Sequence, residues 1–166
     1  MSQQDALLMV ITHARNQTLK LVADLSDDQL AIQPAPKMNH AAWVLGHLLS
    51  SDYALLQLLS PGTTQPAWID DAYRAIYGNK SEPSPDKSKY QPKQFYIEKM
   101  IAVREQIYAR FKTITQAELD APHPDPARRE RFPTVGHMAI FYATWHETYH
   151  SGQLSAWRRV QGLPPV

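Results

Sequence analysis

The chain contains no cysteine. That absence excludes disulfides, thiolate metal ligands and a cysteine nucleophile together, so any metal site must be built from His, Asp or Glu. Glycine is scarce too: six residues, at 46, 62, 78, 136, 152 and 162, with no two closer than ten positions. Neither a P-loop nor a dinucleotide-binding glycine fingerprint can be written with that spacing. Charge of one sign is missing as well, since 17 basic and 16 acidic residues leave a net +1. Such a balance gives no electrostatic case for nucleic acid or an anionic membrane as partner. The longest apolar stretch, Ala41 to Leu49, is interrupted by His47 and is too short to cross a bilayer. Met1 to Asp5 is polar and lacks the basic start and apolar run of a signal peptide. A cytoplasmic protein with a small-molecule substrate is the expectation.

What is present fits one globular domain spanning 1–166, because 43% hydrophobic and 20% charged residues are ordinary values for a soluble core of this length. Periodicity predicts helices throughout. Over 4–25, Leu7, Ile11, Ala14, Thr18, Leu21 and Leu25 recur at helical spacing and fall within about 80° of arc. His13 lies off that stripe and reads as a surface residue. Ser26 should cap a short turn, Asp27 to Ala31, before Pro34 and Pro36. A second long helix runs from His40 to Ser60 with Asn39 as cap. It is apolar on more than one side, which means deep packing or a subunit interface. Residues 61–92 form a long connection with one short helix, Ala67 to Tyr77. It is either a lid or pocket wall, or a plain crossover. A third helix follows from Pro92 to Ile114, with Phe95, Met100, Val103, Ile107 and Phe111 inward and Arg104 among the solvated residues. A capped turn at Thr115 to Leu119 and a proline-rich loop lead on. The loop carries Arg128, Arg129 and Arg131, a wet charge run or a holder of a substrate carboxylate. The fourth helix starts after the cap Thr134 and ends near Gln161, with Gly162 and two prolines beyond.

The fourth helix carries the chemistry. His146 and His150 are four residues apart, about 40° and ~6 Å on a helix, so their rings share one face and can share one ion. Val135, Ala139, Tyr142, Gln153 and Trp157 lie on that same inward face, and His137 lies opposite. On the second helix, His47 shares a stripe with Trp43, Ala54 and Leu58, with His40 two turns back. Three inward histidines on two helices in a chain without cysteine point to a three-histidine metal site with open positions for water. The blander account is a set of core histidines hydrogen-bonded to each other, to Gln153 and to tyrosines. Trp43, Tyr142 and Gln153 are the candidate pocket walls, against the alternative of plain core packing.

His146-Glu147-Thr148-Tyr149-His150 also spells H-E-x-x-H, the zinc-protease signature in which the glutamate is a general base. Only sixteen residues follow His150 and none is His, Asp or Glu, so that signature's downstream third ligand is missing. No clear strand is available to hold an extended peptide. Glu147 is still a candidate catalytic residue, contacting a metal water or orienting a ligand; its other reading is a surface or interhelix carboxylate.

Asn39-His40-Ala41-Ala42-Trp43-Val44-Leu45-Gly46-His47-Leu48 and His146-Glu147-Thr148-Tyr149-His150-Ser151-Gly152-Gln153, the latter followed by Arg158-Arg159 and Gly162-Leu163-Pro164, resemble segments of the DinB/YfiT-like superfamily of small helical metalloproteins. The resemblance covers most of the chain in layout. It implies an all-α four-helix bundle with a long connection between the second and third helices and short accessory helices. It also implies His47, His146 and His150 as ligands of a divalent metal, often zinc or nickel, and frequently a homodimer. Ser151 departs from the pattern, since many members carry arginine there. Activities in the family include S-transferases using low-molecular-weight thiols such as bacillithiol or mycothiol, a thiol-dependent isomerase and metal-dependent hydrolases. The expectation is therefore a metal-dependent thiol S-transferase or hydrolase. The rival is a non-catalytic, stress-associated binding or scaffold protein with structural histidines.

Overall fold

The computed structural model describes residues 3–166. The order is α1 (Gln3–Ala23), α2 (Asp27–Leu30), α3 (Ala41–Leu59), α4 (Asp71–Tyr77), α5 (Lys93–Phe111), α6 (Gln116–Asp120), α7 (Val135–Ile140) and α8 (Glu147–Val160). A π-helical segment, Phe141–His146, joins α7 to α8 without a break, and short 3-10 turns lie at Lys87–Lys89 and Pro126–Arg128. Among the described residues there is no β-strand, only an isolated bridge between Pro122 and Thr134. The architecture is all-α, with α1, α3, α5 and the α7–π–α8 rod as its long members; α3 packs on α5, and α1 packs on the π segment and α8.

Every residue of the predicted α1 stripe is buried: Leu7, Ile11, Ala14, Thr18, Leu21 and Leu25. The apolar excess of α3 is satisfied inside the chain, because Leu45, Leu48, Leu49, Leu55, Leu56 and Leu59 all pack in the core. It therefore gives no sign of a subunit interface. The cap of α3 is His40 rather than Asn39. Its Nδ1 accepts the Trp43 amide at 3.3 Å, and its Nε2–H donates to the Ser84 carbonyl at 2.9 Å. Asn39 is free to turn toward α8, where its amide donates to Gln153. Pro92 stands at the cap of α5 rather than inside it. Thr115 and Glu118 close a reciprocal capping box on α6.

The fourth helix is the main departure from an ideal rod. Ala139, Ala143, Glu147 and Ser151 are all buried, at successive spacings of four. In an unbroken α-helix such a series drifts about 120° over its length. The wider π turn takes up part of that drift, so the π segment and α8 both stay against α1.

Candidate metal centre

His47 leaves the middle of α3 toward the α7–π–α8 rod, and its orientation is fixed by the connection that follows. Its Nδ1–H donates to the Tyr77 carbonyl at 2.8 Å, which leaves Nε2 bare. Gly46 makes this possible: a Cβ there would lie 2.2 Å from two ring carbons of Tyr77. The ring lies on the bare backbone of α3, and the Tyr73 hydroxyl donates to the Gly46 carbonyl beside it at 2.9 Å. Trp43, one turn back, stacks on the His47 ring at 4.7 Å and 8°. Its indole N–H donates to the Ser81 hydroxyl at 2.9 Å. The 61–92 connection is thus a wall of the site, not a simple crossover.

His146 ends the π segment and His150 follows one turn later on α8. The Nε2 atoms of His47 and His146 are 3.2 Å apart. Two nitrogens that bind one ion at about 2.1 Å are separated by ~3.0–3.4 Å, so that pair has the spacing of ligands on a shared ion. The donor atoms of His47, His146 and His150 all lie within 4.8 Å of one another. The His150 Nδ1–H donates to Gln153 Oε1 at 2.8 Å, an oxygen that also accepts the Asn39 amide at 3.0 Å. Both His47 and His150 therefore carry the second hydrogen bond that orients a metal-binding imidazole. Burial, helped by the neighbouring imidazoles, pushes the His146 pKa down to about 3 and the His150 pKa down to about 4. Burial lowers that of His47 as well. Three neutral imidazoles at neutral pH are the state a divalent cation requires.

The histidines form the floor of a cleft of about 450 Å³. Trp43 and Tyr142 line it, as the sequence places them, with Tyr142 set edge-on to His146 at 5.3 Å. Gln153 does not line it; it stands behind His150 as the orienting acceptor. Glu147 also turns away. It is 2% exposed, and its carboxylate accepts from Arg15 and Arg104, each at 2.8 Å. Asp52 completes the set, accepting from the same two arginines. Arg104, expected in solvent, is 4% exposed because it serves two carboxylates in the core. Burial, the largest influence on Glu147, opposes its ionisation, but the two guanidiniums prevail and lower its pKa. The physical reason for this placement is rotation: Glu147 is one residue, about 100°, from His146, and so faces α1 and α5 rather than the histidines. The zinc-protease spelling therefore occurs here without its general base at the site. Ser151 is buried too, 2.9 Å from the Thr18 hydroxyl, so the departure at this position belongs to the α1–α8 contact.

A model of the DinB superfamily matches residues 10–154. The chain belongs to the DinB superfamily. The match includes all three histidines and every residue that orients them. A solved structure similar to this DinB chain is the crystal structure of the conserved protein of locus from Enterococcus faecalis, at 15% identity. The alignment covers 96% of this chain and 97% of that one, with a TM-score of 0.71, which establishes a shared fold and nothing more specific. A comparison with curated proteins returns no match.

Sequence reasoning missed Tyr77, Asn39 and the arginines behind Glu147. Of these only Tyr77 left a trace, in the glycine that adjoins His47.

Proposed function

We propose that this DinB protein is a divalent-metal-dependent enzyme acting on a small molecule, of the thiol S-transferase or hydrolase type. The observation that carries the reading is the convergence of three neutral imidazoles, two of them oriented from behind, on the floor of an open cleft. Three nitrogen donors without sulfur suit zinc or nickel. The chemistry a divalent ion supplies at such a site is acidification of a coordinated thiol or water.

The residues of the chain do the rest. The Tyr77 carbonyl and Gln153 fix the tautomers of His47 and His150, and the rings of Trp43 and Tyr142 shield the histidines from bulk water. The transferase version is preferred on the family resemblance. It also agrees with the lack of cysteine, since the sulfur would come from a low-molecular-weight thiol cosubstrate. That thiol gives its proton to solvent, and its sulfur bonds to an electrophilic carbon as the leaving group departs. Glu147 is engaged by two arginines and acts in this reading as a structural carboxylate. The family resemblance also supports a homodimer, which sedimentation velocity would test.

One observation favours the rival reading of a non-catalytic binding or scaffold protein. The 3.2 Å contact between His47 and His146 is also the geometry of a structural hydrogen bond between histidines. Turnover separates the two. Metal-loaded protein should transfer a small thiol to a chlorodinitrobenzene, or cleave a nitrophenyl ester. His146→Ala should abolish this while helicity persists. No turnover of either class would favour the rival.

A further inference from the structure

We infer that the mouth of the cleft is an anion subsite, built to take the carboxylate of a planar, aromatic or conjugated acid whose body lies toward the histidines. The inference concerns the same cleft and rests on the reading of that cleft as a substrate site.

The lining contains two guanidiniums, Arg128 and Arg131, and no aspartate or glutamate. The lining thus carries two guanidiniums and no carboxylate, in a chain whose net charge is only +1. A concave surface with charge of one sign concentrates ligands of the other. Arg131 is held by rings rather than by acids. Its guanidinium carbon lies 5.0 Å from the centroid of Phe132 and 5.1 Å from that of Phe141. It forms no ion pair among the described residues. Lying over two rings rather than between acids, the group keeps its fork of N–H donors for a carboxylate. Arg128 makes one contact with Asp125, at 3.3 Å, between side chains that are 55% and 49% exposed. So exposed a pair holds weakly and yields to a better acceptor.

The planar part of the ligand is read from the ring run that begins beside Arg131. Phe141, Trp145 and Tyr149 stack in succession along the helix, at 5.1 Å and 28° and then at 4.8 Å and 15°. Trp145 and Tyr149 are each 49% exposed, and both line the cleft. Aromatic faces left in water beside a polar site form a stacking platform. A single ring, that of Phe141, separates Arg131 from His146, whose ring centroid is 5.7 Å from it. A planar body lying along Phe141, with its carboxylate on Arg131, follows that span, and the volume is within the usual range for small-molecule sites.

The test is calorimetric titration of chelator-treated protein, so that ligation of a metal by carboxylate plays no part. The probes are 2-naphthoate, its neutral isostere 2-naphthamide, and cyclohexanecarboxylate as a non-planar acid. Naphthoate should bind about tenfold more tightly than either of the others. Arg131→Gln should erase the preference for acid over amide, and Trp145→Ala should weaken naphthoate and naphthamide together. Both side chains are at the surface of the cleft mouth, so folding is not at stake. Equal affinity for acid and amide, an unchanged preference in Arg131→Gln, or no binding of naphthoate at millimolar concentration would overturn the inference. Protein that takes up metal but shows no acid preference refutes the subsite alone. Protein that shows the preference but takes up no metal refutes the centre alone.

Discussion

Replacing Gly46 by alanine should damage the histidine site from behind without touching a ligand. The new Cβ would lie 2.2 Å from Cδ1 and Cε1 of Tyr77 and 2.7 Å from Cγ. Ordinary carbon–carbon contact is 3.5–4.0 Å, so the ring must retreat by about 1.5 Å. It has little room. The Tyr77 hydroxyl shares a hydrogen bond with the buried Tyr96 hydroxyl, and its ring packs 4.3 Å from that of Tyr73. Its carbonyl is the acceptor that orients His47. Overpacking of this kind costs about 1–3 kcal/mol, or roughly 2–12 °C in Tm for a chain of this size. Displacing the acceptor of a ligating histidine lowers metal affinity about 10–100-fold. Competition against a chromophoric chelator, beside thermal unfolding, measures both effects. Gly152→Ala is the control, because a Cβ there meets nothing within 4 Å and alanine favours the helix. If Gly46→Ala matches wild type in affinity and Tm, the coupling from Gly46 through Tyr77 to His47 is wrong.

Three other outcomes follow from the same geometry. Glu147→Gln removes one of two carboxylates from a buried pair of arginines and should cost about 3–5 kcal/mol in urea unfolding, with metal content per folded chain unchanged; lost turnover at intact stability would instead make it a general base. Gln153→Leu deprives both His150 and Asn39 of their acceptor, so metal affinity should fall about 10–100-fold in the same chelator competition, and an unchanged affinity would rule out its orienting role. In metal-free protein His146 and His150 stay neutral down to about 3 and about 4, whereas the unfolded chain takes up protons from about pH 6.5 downward. Stability should therefore be flat above that pH and fall as the pH drops toward those values. Urea melts of His146→Gln should show a shallower acid limb; identical limbs would contradict the account.

The helices and the histidine cluster were legible because they rest on local periodicity. The α1 stripe, the i, i+4 pair His146 and His150, and the inward position of His47 all follow from 3.6 residues per turn. What could not be read was set by distant parts of the chain. The π segment is a slip in backbone hydrogen bonding that lets Phe141–His146 follow α1, and no residue pattern announces it. Arg104 reads as solvated on its own helix and is buried because Asp52 and Glu147 arrive from two others. Asn39 is a good cap by type, but Gln153 engages its side chain and His40 caps instead. Glu147 belongs to a familiar motif, yet a motif gives neither the rotation of the helix nor the partners that meet it.

The proposed metal would be held by His47 of α3, His146 at the end of the π segment and His150 of α8. The most direct test of this central claim is elemental analysis of untagged protein purified without chelator, beside His47→Ala and His150→Ala. The account predicts about one zinc or nickel ion per chain, lost in both variants while helical circular dichroism persists. No metal in the native protein, and none taken up at micromolar concentration, would contradict it and leave the three histidines as hydrogen-bonded residues of the core.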